Sequence, residues 1–150
     1  MEALYFEDIE EGMTFVTASR VIVEDDLLLF ARVSGDAHPI HTDAAYASTT
    51  EFGQRIAHGP FGIAMAIGLF GTLPQFRDTA VVMMSIDNWR FAAPMVIGDE
   101  VHLNLTLGAK RLTRSGRGIV DRHFRLVRAD GSVPQEGSSP MVIRRREVEA

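Results

Sequence analysis

The segment Ser34-Gly35-Asp36-Ala37-His38-Pro39-Ile40-His41-Thr42-Asp43 puts a carboxylate and two imidazoles into a turn that Pro39 stiffens. Loops held on a rigid scaffold are where catalytic side chains concentrate. A carboxylate and an imidazole converging on one water can take and return a proton, assistance worth roughly 10²- to 10⁴-fold in rate. A second segment, Arg55-Ile56-Ala57-His58-Gly59-Pro60, leads into an apolar run and places a glycine amide at its head. If that run is a helix, the Gly59 N–H has no intrahelical partner and sits at the positive end of the helix dipole, where it can steady a developing oxyanion. Asp36 with His38 or His41 is therefore a candidate proton-transfer pair and Gly59 the candidate oxyanion donor. Together they are the parts needed to add water to an α,β-unsaturated thioester.

The elements that must position these groups follow from periodicity. Thr14 to Val23 is rich in β-branched residues and reads as a first strand. Asp25 to Val33 has the spacing of a short amphipathic helix with acids at its N-terminal end, closed by Ser34-Gly35-Asp36. Asp36 to Phe52 is turn-rich, with one helical turn at Ala44 to Ser48. Gly59 to about Phe70 is apolar on all sides and predicts a buried helix, with Pro60 in its first turn. Strand-length segments follow at Val81 to Phe91, Glu100 to Leu107, Ile119 to Val127 and Ser139 to Arg144. They are separated by Pro94 and Gly98-Asp99, by Ser115-Gly116 and by Asp130-Gly131. One all-round apolar helix covered by a curved antiparallel sheet is an α+β arrangement, and residues 1–150 are expected to form one domain of that kind.

Composition narrows the chemistry. The chain has no cysteine, which excludes thiol nucleophiles, thiolate zinc sites and iron–sulfur clusters. A formal charge of −5 opposes a role in binding nucleic acid. Arginines gather late, from Arg111 to Arg128 and again at Arg144 to Arg146, where strand surfaces or an anionic ligand such as the phosphates of a CoA would use them. No residue between Arg55 and Arg77 carries a formal charge. His58, Pro60, Pro74 and Gln75 nevertheless interrupt that span, so no membrane segment is expected. The acidic N-terminus shows no secretory signal, and a cytoplasmic location is expected. No Walker loop, dinucleotide fingerprint or nucleophile elbow occurs, and no cofactor is expected. Asp36, His38, His41 and His58 raise a metal site as a possibility. His38-Pro39-Ile40-His41 is not the i, i+4 pair of zinc hydrolases, and proline there argues against a regular helix, so no metal centre is expected.

Asp36, Pro39, Ile40 and His41, followed by His58-Gly59, resemble the motif of the MaoC-like (R)-specific enoyl-CoA hydratase family. Arg90-Phe91, Pro94 and Gly98-Asp99-Glu100-Val101 are similar to the family's later strand and Gly-Asp turn. The resemblance implies a hot-dog fold and syn hydration of an enoyl-CoA, or dehydration of a 3-hydroxyacyl thioester, by Asp36 and His41 with a water between them. Gly59 would be the oxyanion donor, with His58 and His38 beside it on the substrate-binding side. It also implies an acyl-CoA or acyl-carrier thioester as substrate and a homodimer or larger homo-oligomer. Two departures stand out: the family's usual Asn is His38 here, and Gly62 to Phe70 has no hydroxyl residue where members often carry a serine. His38 is expected to brace the loop and His58 to bond the helix or turn. A carboxylate at its ordinary pKa is a weak base near neutrality, so Asp36 is expected to be partly buried beside an apolar acyl tunnel. A hot-dog thioesterase and a non-catalytic acyl-thioester-binding subunit are the alternatives that fold alone leaves open.

Overall fold

The computed structural model describes residues 2–146. Among the described residues there are four α-helices, α1 (Glu24–Ser34), α2 (Pro39–Thr42), α3 (Ala44–Ser48) and α4 (Gly59–Phe70). The strands are β1 (Thr14–Val16), β2 (Arg20–Val21), β3 (Ala80–Met83), β4 (Asp87–Phe91), β5 (Glu100–Leu112), β6 (Gly118–Arg128), β7 (Gln135–Ser138) and β8 (Met141–Ile143). All pairings between strands are antiparallel. Both β1 and β2 lie on β5, β5 lies on β6, β6 carries β7 and then β8 along its length, and β7 and β8 carry β4 and β3. The result is one curved sheet around α4, the hot-dog arrangement expected.

The two long helices fall where their periodicity puts them. Three strand expectations need correction. The strand expected over Thr14 to Val23 is two short pieces, because the chain leaves the ladder between Val16 and Arg20. Val81 to Phe91 is likewise split into β3 and β4, with a register shift between Asp87 and Arg90 where Asn88 takes φ 51°. The last strand begins earlier than expected, at Gln135, and is broken by Pro140, which cannot donate to a ladder. The α2 turn is also unexpected. Pro39 occupies its first position, where a missing N–H costs nothing, so proline starts a helical turn here instead of preventing one.

Alternation on β5 sends Val101, Leu103, Leu105 and Leu107 inward, and Val120, Phe124 and Leu126 of β6 join them under α4. From the helix come Phe61, Met65, Ala66, Leu69 and Phe70. Each such side chain contributes roughly 1.5–3 kcal/mol on leaving water. The helix is not covered all round: Pro60, Ala64 and Gly68, four residues apart, form an exposed stripe. Ala64 and Gly68 floor an apolar groove of about 580 Å³ against α1, walled by Leu29, Phe30, Val33 and Phe61.

Most of the late arginines are engaged within the fold, while Arg114, Arg117 and Arg144 are exposed. Arg111, Arg125, Arg128, Arg145 and Arg146 pair with Asp121, Glu136, Asp99, Glu7 and Asp8. Arg122 is buried. Its guanidinium lies 4.6 Å from the Phe70 ring centre and 4.9 Å from that of Phe124, and it donates to the Ser139 carbonyl and hydroxyl. Burial pulls its pKa down to about 10, so it stays charged at neutral pH and fastens the C-terminal end of α4 to the sheet.

Gly35 ends α1 in the left-handed region at φ 80° and aims the chain at Asp36. Gly35→Ala is expected to cost about 1–2 kcal/mol in urea unfolding. Gly68→Ala, a helical position where a new Cβ meets nothing within 4 Å, should instead stabilise by about 0.5–1 kcal/mol.

Candidate active site

Two peptide segments meet at the N-terminal end of α4. The first runs from Gly35 through α2. His38 stands before its first turn, and the His38 Nδ1 accepts the Ile40 N–H at 3.1 Å, so His38 is the cap of α2. Asp36 turns back on the same loop, its Oδ1 accepting the His38 N–H at 3.2 Å. The second segment is held by the loop after β4. Ile56 bridges Val96 and the Ala57 N–H donates to the Met95 carbonyl at 2.7 Å. That loop is fixed in turn by Asp99, which accepts the Val96 N–H at 3.0 Å and is paired with Arg128 at 3.0 Å.

Ile56 joins the segments. Its N–H donates to the Ile40 carbonyl at 3.2 Å, and its carbonyl accepts Nδ1–H of His41 at 2.7 Å. A carbonyl can only accept, so neutral His41 carries its proton on Nδ1 and presents a lone pair at Nε2. That Nε2 faces Oδ2 of Asp36 at 3.8 Å. The separation is too long for a direct hydrogen bond and suits a water donating to both. His58, 2% exposed, stacks flat against His41 with ring centres 3.7 Å apart, and its Nε2–H donates to the Asp36 carbonyl at 2.8 Å. It therefore fixes the Asp36 backbone from below. Phe30 closes the far side, 5.0 Å from the His58 ring centre.

The expected groups thus come together: Asp36, His41 and His58 converge, and Gly59 is the first residue of α4. His38 caps α2 through its Nδ1, with its ring centre 6.3 Å from that of His41. The Asp36 side chain is 56% exposed, so the described residues cover it only in part. Asp36, His41 and His58 offer ligand atoms within 4.8 Å of one another, a convergence that the spacing of His38 and His41 did not reveal because His58 comes from the other segment. A cation there would need the Nε2 lone pair of His58, and that atom is donating its proton to the Asp36 carbonyl. The donor set fits a metal poorly.

Residues 8–123 match the family model described as the MaoC like domain. The chain belongs to the MaoC-like family. An (R)-specific enoyl-CoA hydratase of Rhodospirillum rubrum is 38% identical over 103 residues, 69% of this chain and 69% of that protein. Protein MaoC of Klebsiella aerogenes is 36% identical over 109 residues, 71% of this chain, and the match spans 31% of the longer Klebsiella protein. Among solved structures, R-hydratase PhaJ1 from Pseudomonas aeruginosa superposes with a TM-score of 0.82 at 28% identity, covering 99% of this chain and 93% of that one. Among the described residues of this MaoC-like chain, no helix is long and apolar enough to cross a membrane.

Sequence reasoning missed Ile56, which acts through backbone atoms, and Asp99 with Arg128, which act at one remove. The Gly98-Asp99 turn was visible but not its reach to the site.

Burial is the main cause holding the His41 pKa below its ordinary 6.5. The neighbouring His58 and His38 add to this, while the bond to Ile56 and the charge of Asp36 oppose it. A histidine whose folded-state pKa is depressed binds fewer protons than the unfolded chain just below pH 6.5, so its contribution to stability is lost as pH falls through that window. The melting temperature is expected to drop as pH falls below about 6.5, and His41→Gln should remove part of that slope. Identical slopes in the two proteins would show that His41 is not held neutral.

Proposed function

We propose that this chain adds water to the double bond of an enoyl thioester, or runs the reverse elimination from a 3-hydroxyacyl thioester, with Asp36 and His41 as the proton-transfer pair. The observation that carries this reading is the placement of two acceptors, Nε2 of His41 and Oδ2 of Asp36, 3.8 Å apart on one side of the cleft. A water donating one hydrogen to each has a lone pair free to attack the β-carbon. The proton it loses passes to the pair and returns to the α-carbon on the same face, which makes the addition syn. The thioester oxygen gathers charge as the β-carbon is attacked, and the Gly59 N–H is the donor for it; one such donor is worth roughly 10²- to 10³-fold. The names of the relatives, an (R)-specific enoyl-CoA hydratase and an R-hydratase, favour the same product hand. The groove of about 580 Å³ along Ala64 and Gly68 supports an apolar acyl part. A CoA or acyl-carrier thioester of this kind goes with a cytoplasmic location.

The exposure of Asp36 implies that substrate, a second copy of the chain, or both complete the site. Self-association has its own support. The outer strand pieces β3 and β4 pair on one side only, and Val81, Val82, Met83, Met84 and Ile86 on or beside them are exposed. Contiguous apolar side chains on an unpaired edge mark an interface. Sedimentation at micromolar concentration is expected to show a dimer or larger homo-oligomer, and Val82→Glu with Met84→Glu should shift it toward monomer. A wild-type protein that sediments only as monomer would refute this.

With crotonyl-CoA, Asp36→Asn and His41→Ala are each expected to lower hydration at least ~10²-fold while the protein stays folded. His38→Asn should stay within about tenfold of wild type, because its amide oxygen can accept the same Ile40 N–H, whereas His38→Ala loses the cap, at about 1 kcal/mol, and should do worse. Equal and severe loss in both would make His38 a proton carrier. Chromatography of the product separates the alternatives: release of free CoA without 3-hydroxybutyryl-CoA would identify a thioesterase, and binding with neither product would identify a non-catalytic subunit.

A further inference from the structure

Gln135 is a polar side chain only 3% exposed, on β7 beneath the first turn of α4. Its two amide ends are both used. The Trp89 Nε1–H donates to the Gln135 Oε1 at 3.0 Å, and the Gln135 Nε2 donates to the Gly59 carbonyl at 3.1 Å. An indole nitrogen can only donate and a carbonyl can only accept, so these partners fix which end of the amide is which. The chain Trp89–Gln135–Gly59 therefore has one direction and ends on the glycine proposed as oxyanion donor.

The surrounding sequence makes room for this chain at two places. A Cβ on Gly62 would stand 2.2 Å from Oε1 of Gln135, and one on Gly137 would stand 2.5 Å from Trp89. Gly62 in mid-helix forgoes roughly 0.5–1 kcal/mol of helix stability relative to alanine, and it lets the amide slide between helix and sheet. On the other side the Phe91 ring lies so near Gly59 that a Cβ there would sit 3.0 Å from it. Gly59 is thus held from below through its carbonyl and crowded from the strand that also carries Trp89.

We infer that Gln135, oriented by Trp89, is a positioning residue that sets the Gly59 N–H against the thioester oxygen. This rests on the hydratase reading above. Gln135 does not touch the substrate; it holds the Gly59–Pro60 peptide by its carbonyl and so fixes Gly59 at the junction with the His58–Gly59 peptide, which carries the N–H. A buried amide can be replaced by an apolar isostere with little loss of packing, so Gln135→Met removes the donor and keeps the volume. Trp89→Phe removes the indole N–H that orients the amide, together with part of the ring's volume. Gly62→Ala displaces the amide sterically while favouring the helix.

The test measures crotonyl-CoA hydration, the carbonyl stretch of bound ¹³C-labelled butyryl-CoA, and the Gly59 amide resonance in ¹⁵N-labelled protein. Gln135→Met and Gly62→Ala are expected to lower kcat about tenfold, part of the worth of a full oxyanion donor, with KM within about twofold. Trp89→Phe should lower kcat about threefold, since the amide remains but is free to turn. The pH profile should keep its shape, because Asp36 and His41 are untouched. The downshift of the bound carbonyl stretch should shrink in step with kcat, a change that a merely structural role would not produce. An active wild type whose variants keep both kcat and carbonyl frequency would overturn the relay and leave the hydratase reading standing. A wild type that hydrates no enoyl thioester would overturn that reading instead. In that case the Gly59 amide still decides the relay, and an unmoved resonance in the variants overturns it. Should Gln135→Met fail to fold, Trp89→Phe carries the same comparison.

Discussion

The Ile56 peptide is the joint on which the site turns. Its carbonyl accepts the His41 Nδ1–H at 2.7 Å and its N–H donates to the Ile40 carbonyl at 3.2 Å, so one residue, through the two peptide units that flank its Cα, sets both the ring's tautomer and the distance between the two site segments. Without an acceptor at Nδ1 the imidazole would be free to carry its proton on Nε2, and the lone pair facing Asp36 would be lost. The rest of the local structure can be followed outward from this peptide. Val96 pairs with Ile56, Asp99 accepts the Val96 N–H, and Arg128 at the end of β6 holds Asp99. A surface ion pair is worth little by itself. This one is part-buried at both partners, and its effect lies in fixing the loop that presents Ile56.

The central helix supplies the second constraint. Its residues are apolar enough to demand cover, and the sheet provides it along one side through Leu103, Leu105, Phe124 and their neighbours. Each end is then anchored by a polar group brought into that apolar layer. Arg122 stacks on Phe70 at the C-terminal end, and Gln135 bonds Gly59 at the N-terminal end. Buried polar groups are tolerated only when satisfied, and both have partners.

What could be read from the sequence followed from strong local signals. The all-round apolar run at Gly59 to Phe70, the proline and acids at helix starts, and the Asp36 to His41 spacing all survive in the structure. The split strands did not show. Pro140 and the positive φ of Asn88 interrupt ladders whose partners lie far away in sequence, so neither break has a local period to disturb. Gln135 was invisible for a related reason: a single glutamine beside Pro134 and Gly137 looks like a loop until Trp89 and Gly59 are known to lie against it. Gly62 was the nearest thing to a signal. A glycine within a strong helix marks close approach, though not by what. The convergence of His58 on Asp36 likewise needed the fold, since Gly35, α2 and the Val96 bridge together fold the intervening residues back on themselves.

The exposure of Asp36 bears on how such a site could work at neutral pH. A carboxylate in water holds its hydration shell, and the attacking water between it and His41 would be one of many exchanging there. The geometry of the pair is set by the protein, through His58 beneath and Ile56 behind, yet the exclusion of solvent is not. An acyl thioester laid over the pair would supply the missing cover, displacing bulk water and strengthening the attraction between the carboxylate and an imidazolium formed opposite it. His41, already desolvated and held below its ordinary pKa, waits as an acceptor. Under the proposed hydratase reading, the asymmetry between a largely buried imidazole and an open carboxylate would let the pair be ordered before substrate arrives and become a strong proton carrier only when substrate closes it.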